Sequence, residues 1–152
     1  IRIYVKKDMK VKIDKSINKI IKEEIDYGIN KFKTYQNFGE KVYKIRENVI
    51  KNINQLKKDG KKIIGFGAPA KATTALNFFG ISDQIDFIVE DNKLKHNKFI
   101  PGVKIPIVSK NKVNGKGDTI LVLAWNFFED IKKNNKTLSD NFINIKSLEK
   151  ES

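Results

Sequence analysis

The most constraining feature of this sequence is a short apolar run that breaks at a glycine turn and restarts with helical spacing. Residues 62–66 are predicted to form a buried strand, and residues 70–79 a helix closed by Gly80. Between them, Gly65-Phe66-Gly67-Ala68-Pro69-Ala70 fits the pattern G-x-G-x-x-G/A, with a strand before it and a helix after it. Each small residue has a physical job in that pattern. Gly65 is expected to permit the tight turn, Gly67 to let the backbone approach a diphosphate, and Ala70 to let the helix pack close to the strand. Free N–H groups at the helix start would then attract an anion. Residues 61–76 thus read as a nucleotide-binding βα unit.

The rest of the chain agrees with an α/β fold. Residues 85–89 read as a second strand. Pro101-Gly102 and Pro106 bracket a turn and a short strand near an edge over residues 103–108. Residues 119–124 are the most apolar strand, expected centrally and buried on both faces. A helix over 127–133 and a last strand over 142–145 follow, with residues 147–152 expected to fray. Strands alternating with helices imply a mostly parallel sheet with helices on both faces. Upstream, residues 1–5 alternate as a short strand. Two helices come next: one from Ser16, a plausible N-cap, carrying Ile17, Ile20, Ile21, Ile25 and Ile29. The other carries Phe38, Val42, Ile45, Val49, Ile53 and Leu56 as one apolar stripe that stops at Asp59-Gly60. The expected organisation is an end strand and linker over 1–15, two linking helices over 16–60, and the nucleotide-binding domain over 61–147.

Candidate ligand residues gather at predicted strand ends. Lys71 in the first turn of its helix opposes the helix dipole, a conflict explained if its ammonium faces a phosphate or sugar oxygen; the alternative is an ordinary surface lysine. Glu90 and Asp91 end the second strand, where a carboxylate holds a ribose hydroxyl pair. Trp125 and Asn126 follow the apolar strand at its carboxyl end. Trp125 is suited to stack on a base and Asn126 to offer a donor and an acceptor; the alternatives are core packing and an N-cap. His96, in a polar loop, reads as a solvated residue without a catalytic role. No Ser–His–Asp set, paired-carboxylate constellation or Gly-Lys-Ser/Thr phosphate loop occurs, so the chain offers a binding platform and no catalytic residues.

Composition narrows the partners. The formal charge is +13, but 29 of the 31 basic residues are lysines, and Ile and Asn number 23 and 16. That bias follows from AT-rich codons, and sequence-specific nucleic-acid readout favours the guanidinium this chain lacks. No nucleic-acid partner is therefore expected. With no cysteine and one histidine, neither a disulfide nor a protein-only zinc site is expected. No apolar run approaches the roughly 20 residues that span a bilayer, so no membrane partner is expected and the location reads as cytoplasmic. The chain opens Ile1-Arg2-Ile3-Tyr4-Val5 without an initiator Met, as a fragment entered in mid-strand would.

Three motifs, in order, carry a resemblance. They are residues 60–81 around the glycine turn, then Val89-Glu90-Asp91-Asn92 with Lys95 and Pro101-Gly102-Val103-Lys104-Ile105-Pro106-Ile107, then Leu123-Ala124-Trp125-Asn126-Phe127. Together they resemble the C-terminal, Rossmann-like domain of the S-adenosylmethionine-dependent C-methyltransferases that act on nucleotide-activated deoxysugars. Arg2-Ile3-Tyr4-Val5 looks like the last strand of that family's methyltransferase domain. The Lys95-His96-Asn97 stretch departs from the more usual Lys-Gln-Gly.

The resemblance implies a substrate platform for a dTDP-type keto-deoxysugar, with Gly65, Gly67, Ala68, Lys71, Asp91, Trp125 and Asn126 matching the family's loops. It places S-adenosylmethionine and the general base in an upstream methyltransferase domain of the same protein. There a proton is removed next to the keto group, and the enolate attacks the methyl sulfonium. An independent NAD(P)-binding domain of an oxidoreductase or epimerase is the alternative. That reading needs a Tyr-x-x-x-Lys pair, which the strand–helix region does not contain.

Overall fold

The computed structural model describes residues 3–7, 10, 12 and 14–150. Two compact units divide the chain, Ile1–Lys41 and Val42–Ser152. In the first, residues 3–6 have no regular secondary structure, and Ile1 and Arg2 of the expected end strand lie outside the described residues. Helix α1 (Lys15–Tyr27) is capped by Asp14, whose carboxylate accepts the Ser16 N–H at 2.8 Å. Asp14 therefore takes the role expected of Ser16, because its side chain reaches the open backbone donor two residues on. Gly28, at φ +85°, ends the helix with its N–H on the Glu24 and Ile25 carbonyls. Ile29 consequently falls beyond α1. No residue of α1 is buried, and Ile17, Ile20, Ile21 and Ile25 are exposed. Helix α2 (Phe32–Lys58) begins in this unit, six residues before the stripe that announced it.

The second unit is built on a six-stranded sheet. Its strands are β1 (Ile63–Phe66), β2 (Ile88–Val89), β3 (Lys98–Phe99), β4 (Pro106–Val108), β5 (Thr119–Val122) and β6 (Asn141–Asn144). They lie in the order β3-β4-β2-β1-β5-β6, all parallel except the β3–β4 pair. β1 and β2 occupy the middle. β5 is one place further out, yet it is paired on both sides and buried along its length. The second strand is shorter than expected, and the edge hairpin formed by β3 had no alternating pattern to announce it.

Alternation along the strands divides the core in two. Ile63, Ile88, Ile107, Leu121 and Leu123 face α3 (Ala70–Phe79), through Ala72, Leu76 and Phe79, and α2, through Val49 and Ile53. Ile64, Phe66, Val89, Ile120 and Val122 face the opposite way, where Phe128 and Ile131 of α4 (Phe128–Asn134) pack. Helices thus cover both faces, as in a Rossmann-like fold. Three hydrogen bonds fix the α2 side. Arg46 Nε donates to the Phe78 carbonyl at the end of α3 at 2.7 Å, and Asn48 and Asn52 donate to the carbonyls of Glu149 and Leu148, both at 2.9 Å. The expected fraying of residues 147–152 is therefore not found over 147–150. Ile145–Glu149 form 3-10 turns with Leu148 buried.

Candidate functional site

The strand order reverses between β1 and β5, and in open parallel sheets a crevice opens at the carboxyl ends of the strands at such a point. Here that point is the glycine turn, facing Ala124. Gly67 adopts φ +89°, and a Cβ on it would lie 2.9 Å from the Ala124 Cβ. Gly67 is the turn residue. Gly65 is not: it sits inside β1, without positive φ, where a Cβ would meet Ile88 Cγ1 at 2.7 Å and Leu123 Cδ1 at 3.1 Å. Its small size serves close packing across the sheet. Nor does Ala70 make the close helix–strand approach, since it is exposed; the fully buried Ala72 does.

The Gly67 and Ala68 donors of this turn are occupied. Gly67 N–H donates to the Val89 carbonyl at 2.8 Å, Ala68 N–H donates to Glu90 Oε2 at 2.8 Å, and Pro69 has no N–H to offer. Ala68 therefore offers a ligand no free backbone donor while Glu90 holds it. Glu90 is further held by the Asn92 N–H on Oε1 at 3.0 Å and by the Lys95 ammonium, 3.3 Å from Oε2 and 2.9 Å from the Ala68 carbonyl. Burial pushes the Glu90 carboxyl up, but the Asn92 and Ala68 N–H groups and the Lys95 charge outweigh it and hold it below the ordinary carboxylate value. His96, read as solvated, is half-buried and bonds the Glu90 carbonyl through Nε2 at 2.7 Å; a carbonyl only accepts, so Nε2 carries the proton. Asn97 then turns the chain at φ 60°, a left-handed position where Asn is tolerated best after Gly.

The other expected residues lie around this turn. Asp91 pairs with Lys110, Oδ1 to Nζ 2.7 Å, so its carboxylate is engaged by a lysine the sequence did not single out. Lys71 sets its ammonium over the Trp125 ring, 4.1 Å from the centroid. That cation–π contact explains a lysine in the first helical turn, and no carboxylate among the described residues lies within 4.0 Å of it. Trp125 is half-buried against the α3-side core, while Asn126 is exposed within the 3-10 turn Trp125–Phe127 and caps no helix. A cavity of about 300 Å³ opens on the α4 side, lined by Phe66, Gly67, Glu90, Asp91, Ala124 and Phe127 among others. Pro101-Gly102 lies away from it: Asn77 of α3 donates to the Pro101 carbonyl at 3.0 Å, and a Cβ on Gly102 would collide with the Asn77 amide.

This arrangement has relatives. Residues 1–144 match a family described as the C-methyltransferase C-terminal domain. The chain belongs to that family. It is also 31% identical over 128 residues to C-methyltransferase NovU of Streptomyces niveus, an alignment that takes in 83% of this chain and 30% of NovU. The chain therefore spans under a third of the length of that relative. Among the described residues, no helix is long and apolar enough to cross a membrane, and no cluster of His, Asp or Glu could hold a metal ion.

Proposed function

We propose that this domain is the substrate platform of a C-methyltransferase and takes a nucleotide-activated keto-deoxysugar, of dTDP type, at the reversal point of its sheet. The observation that carries the reading is the Lys71 ammonium resting on Trp125, beside the crevice and without a carboxylate partner. A cation and an aromatic face side by side suit a phosphate joined to a base. Asn126, exposed next to Trp125, supplies a donor and an acceptor. Asp91 meets the ribose once Lys110 swings aside, and Gly67 shapes the floor, with Gly65 and Ala68 setting the close packing and the turn that hold it. S-adenosylmethionine and the groups that move the proton belong, in this reading, to a methyltransferase domain upstream in the same protein, and no residue of 61–147 is assigned to them. The working compartment is the cytoplasm, where nucleotide-activated sugars are made.

Calorimetric titration tests the reading. The chain is expected to bind a dTDP-sugar more tightly than NAD or S-adenosylmethionine, and a preference for either of those would sink it. Lys71→Ala should weaken the dTDP-sugar about tenfold, the worth of one charge-assisted contact. Trp125 is the only tryptophan of the chain, so quenching or recovery of its emission reports whether the ammonium leaves the ring on binding. Unchanged affinity in Lys71→Ala would return Lys71 to the solvated surface.

A further inference from the structure

The turn carries the glycine pattern of a diphosphate cradle, yet its anion is already present within the chain. We infer that Glu90 is a specificity residue that occupies the Ala68 donor of the glycine turn in place of the pyrophosphate of a dinucleotide and thereby disfavours NAD-type dinucleotides, leaving the phosphates of a nucleotide sugar to Lys71. A dinucleotide cradle works through unpaired backbone N–H groups aimed at the pyrophosphate. In this turn the Gly67 N–H is bound within the sheet, the Ala68 N–H is bound to Glu90, and Pro69 has none. A pyrophosphate would also meet the Glu90 carboxylate at close range, a like charge.

The seal is a built feature. Lys95 bridges Glu90 Oε2 and the Ala68 carbonyl, tying both sides of the turn to one ammonium. Asn92 holds the second carboxylate oxygen, and His96 holds the Glu90 backbone. Glu90 thus makes the contacts that a bound phosphate would make. The inference concerns the turn alone and does not depend on which nucleotide sugar the platform takes.

The test is calorimetric titration of pyrophosphate and of NAD into the chain and three variants. Glu90→Ala frees the Ala68 N–H and unpairs Lys95, so pyrophosphate affinity should rise about tenfold or more over the original chain. Glu90→Gln keeps an acceptor for the Ala68 N–H but removes the charge, and its gain should be smaller. Adding Lys95→Met to Glu90→Ala should cancel most of the gain. Any background from Lys71 is common to all four proteins and cancels in the ratios. Circular dichroism establishes folding, and should Glu90→Ala fail to fold, the gain in Glu90→Gln decides. No gain in a folded variant would overturn the inference, as would NAD binding by the original chain as tight as by Glu90→Ala. Failure to bind a dTDP-sugar alongside the predicted gains would instead overturn the substrate reading and leave the seal standing.

Discussion

Gly67→Ala is the substitution whose cost can be assembled from separate parts. The first is conformational: at φ +89°, a Cβ costs about 1–2 kcal/mol. The second is steric. The new Cβ falls 2.9 Å from the Ala124 Cβ, and such overpacking costs about 1–3 kcal/mol. The sum is about 2–5 kcal/mol, a large share of the stability of a domain this size. Urea unfolding followed by circular dichroism should show a lower midpoint at unchanged slope. The two parts separate in a cycle with Ala124→Gly, which removes the opposing methyl and leaves the dihedral cost in place. The double variant should recover the steric part, less the about 0.5–1 kcal/mol that a new glycine costs through backbone entropy. Gly115→Ala serves as the control, since its Cβ would meet nothing within 4 Å. Additivity of the two substitutions within about 0.3 kcal/mol would refute the reasoning, because residues in this contact must couple.

Other outcomes follow from the same contacts. Asn52→Ala removes the bonds to the Leu148 and Lys150 carbonyls and should cost about 1–2 kcal/mol. It should also raise amide exchange over residues 145–150 ahead of the sheet; uniform exchange would show that the segment is held by Leu148 alone. Glu90 supplies the pH dependence. Its folded value lies below the ordinary 4.5, so its contribution is complete above that value and is lost as the pH falls through the folded one. The stability gap between the original chain and Glu90→Gln should therefore be widest near neutrality and close in acid. A gap unchanged by acid would mean that the carboxylate charge is not what matters.

The long elements were legible because their periods are strong. The helix over 70–79 and its Gly80 cap stand where the residues place them, as do the apolar strands of β1 and β5. The shortest strands were legible in place but not in extent, and β3 not at all. The two residues of β3 form no period, and their strand state comes from pairing with β4; β2 keeps only two of the five residues expected of it. At the site, the pattern located the turn but not its occupancy. Nothing local to Gly67-Ala68 reveals that a carboxylate 22 residues onward will accept the Ala68 N–H. Glu90 and Asp91 share the strand end, but neighbouring residues of an extended chain point to opposite sides. Glu90 turns to the glycine loop and Asp91 to Lys110. His96 was misjudged for a related reason, since loop composition carries no sign of the carbonyl it meets.

The bonds from Asn48 and Asn52 to residues 148–150 join positions 96 to 101 apart in sequence. During synthesis α2 emerges before the sheet, and the groups that receive its amides appear only after about a hundred further residues have been added. Until then the α2 face that carries Val49 and Ile53 has the sheet to wait for as well, strand by strand. A closure this distant is entropically late. The nascent domain therefore passes through its whole sheet before this clasp engages, and ribosome-bound chains shortened before residue 145 should display α2 as a loosely held, protease-sensitive helix.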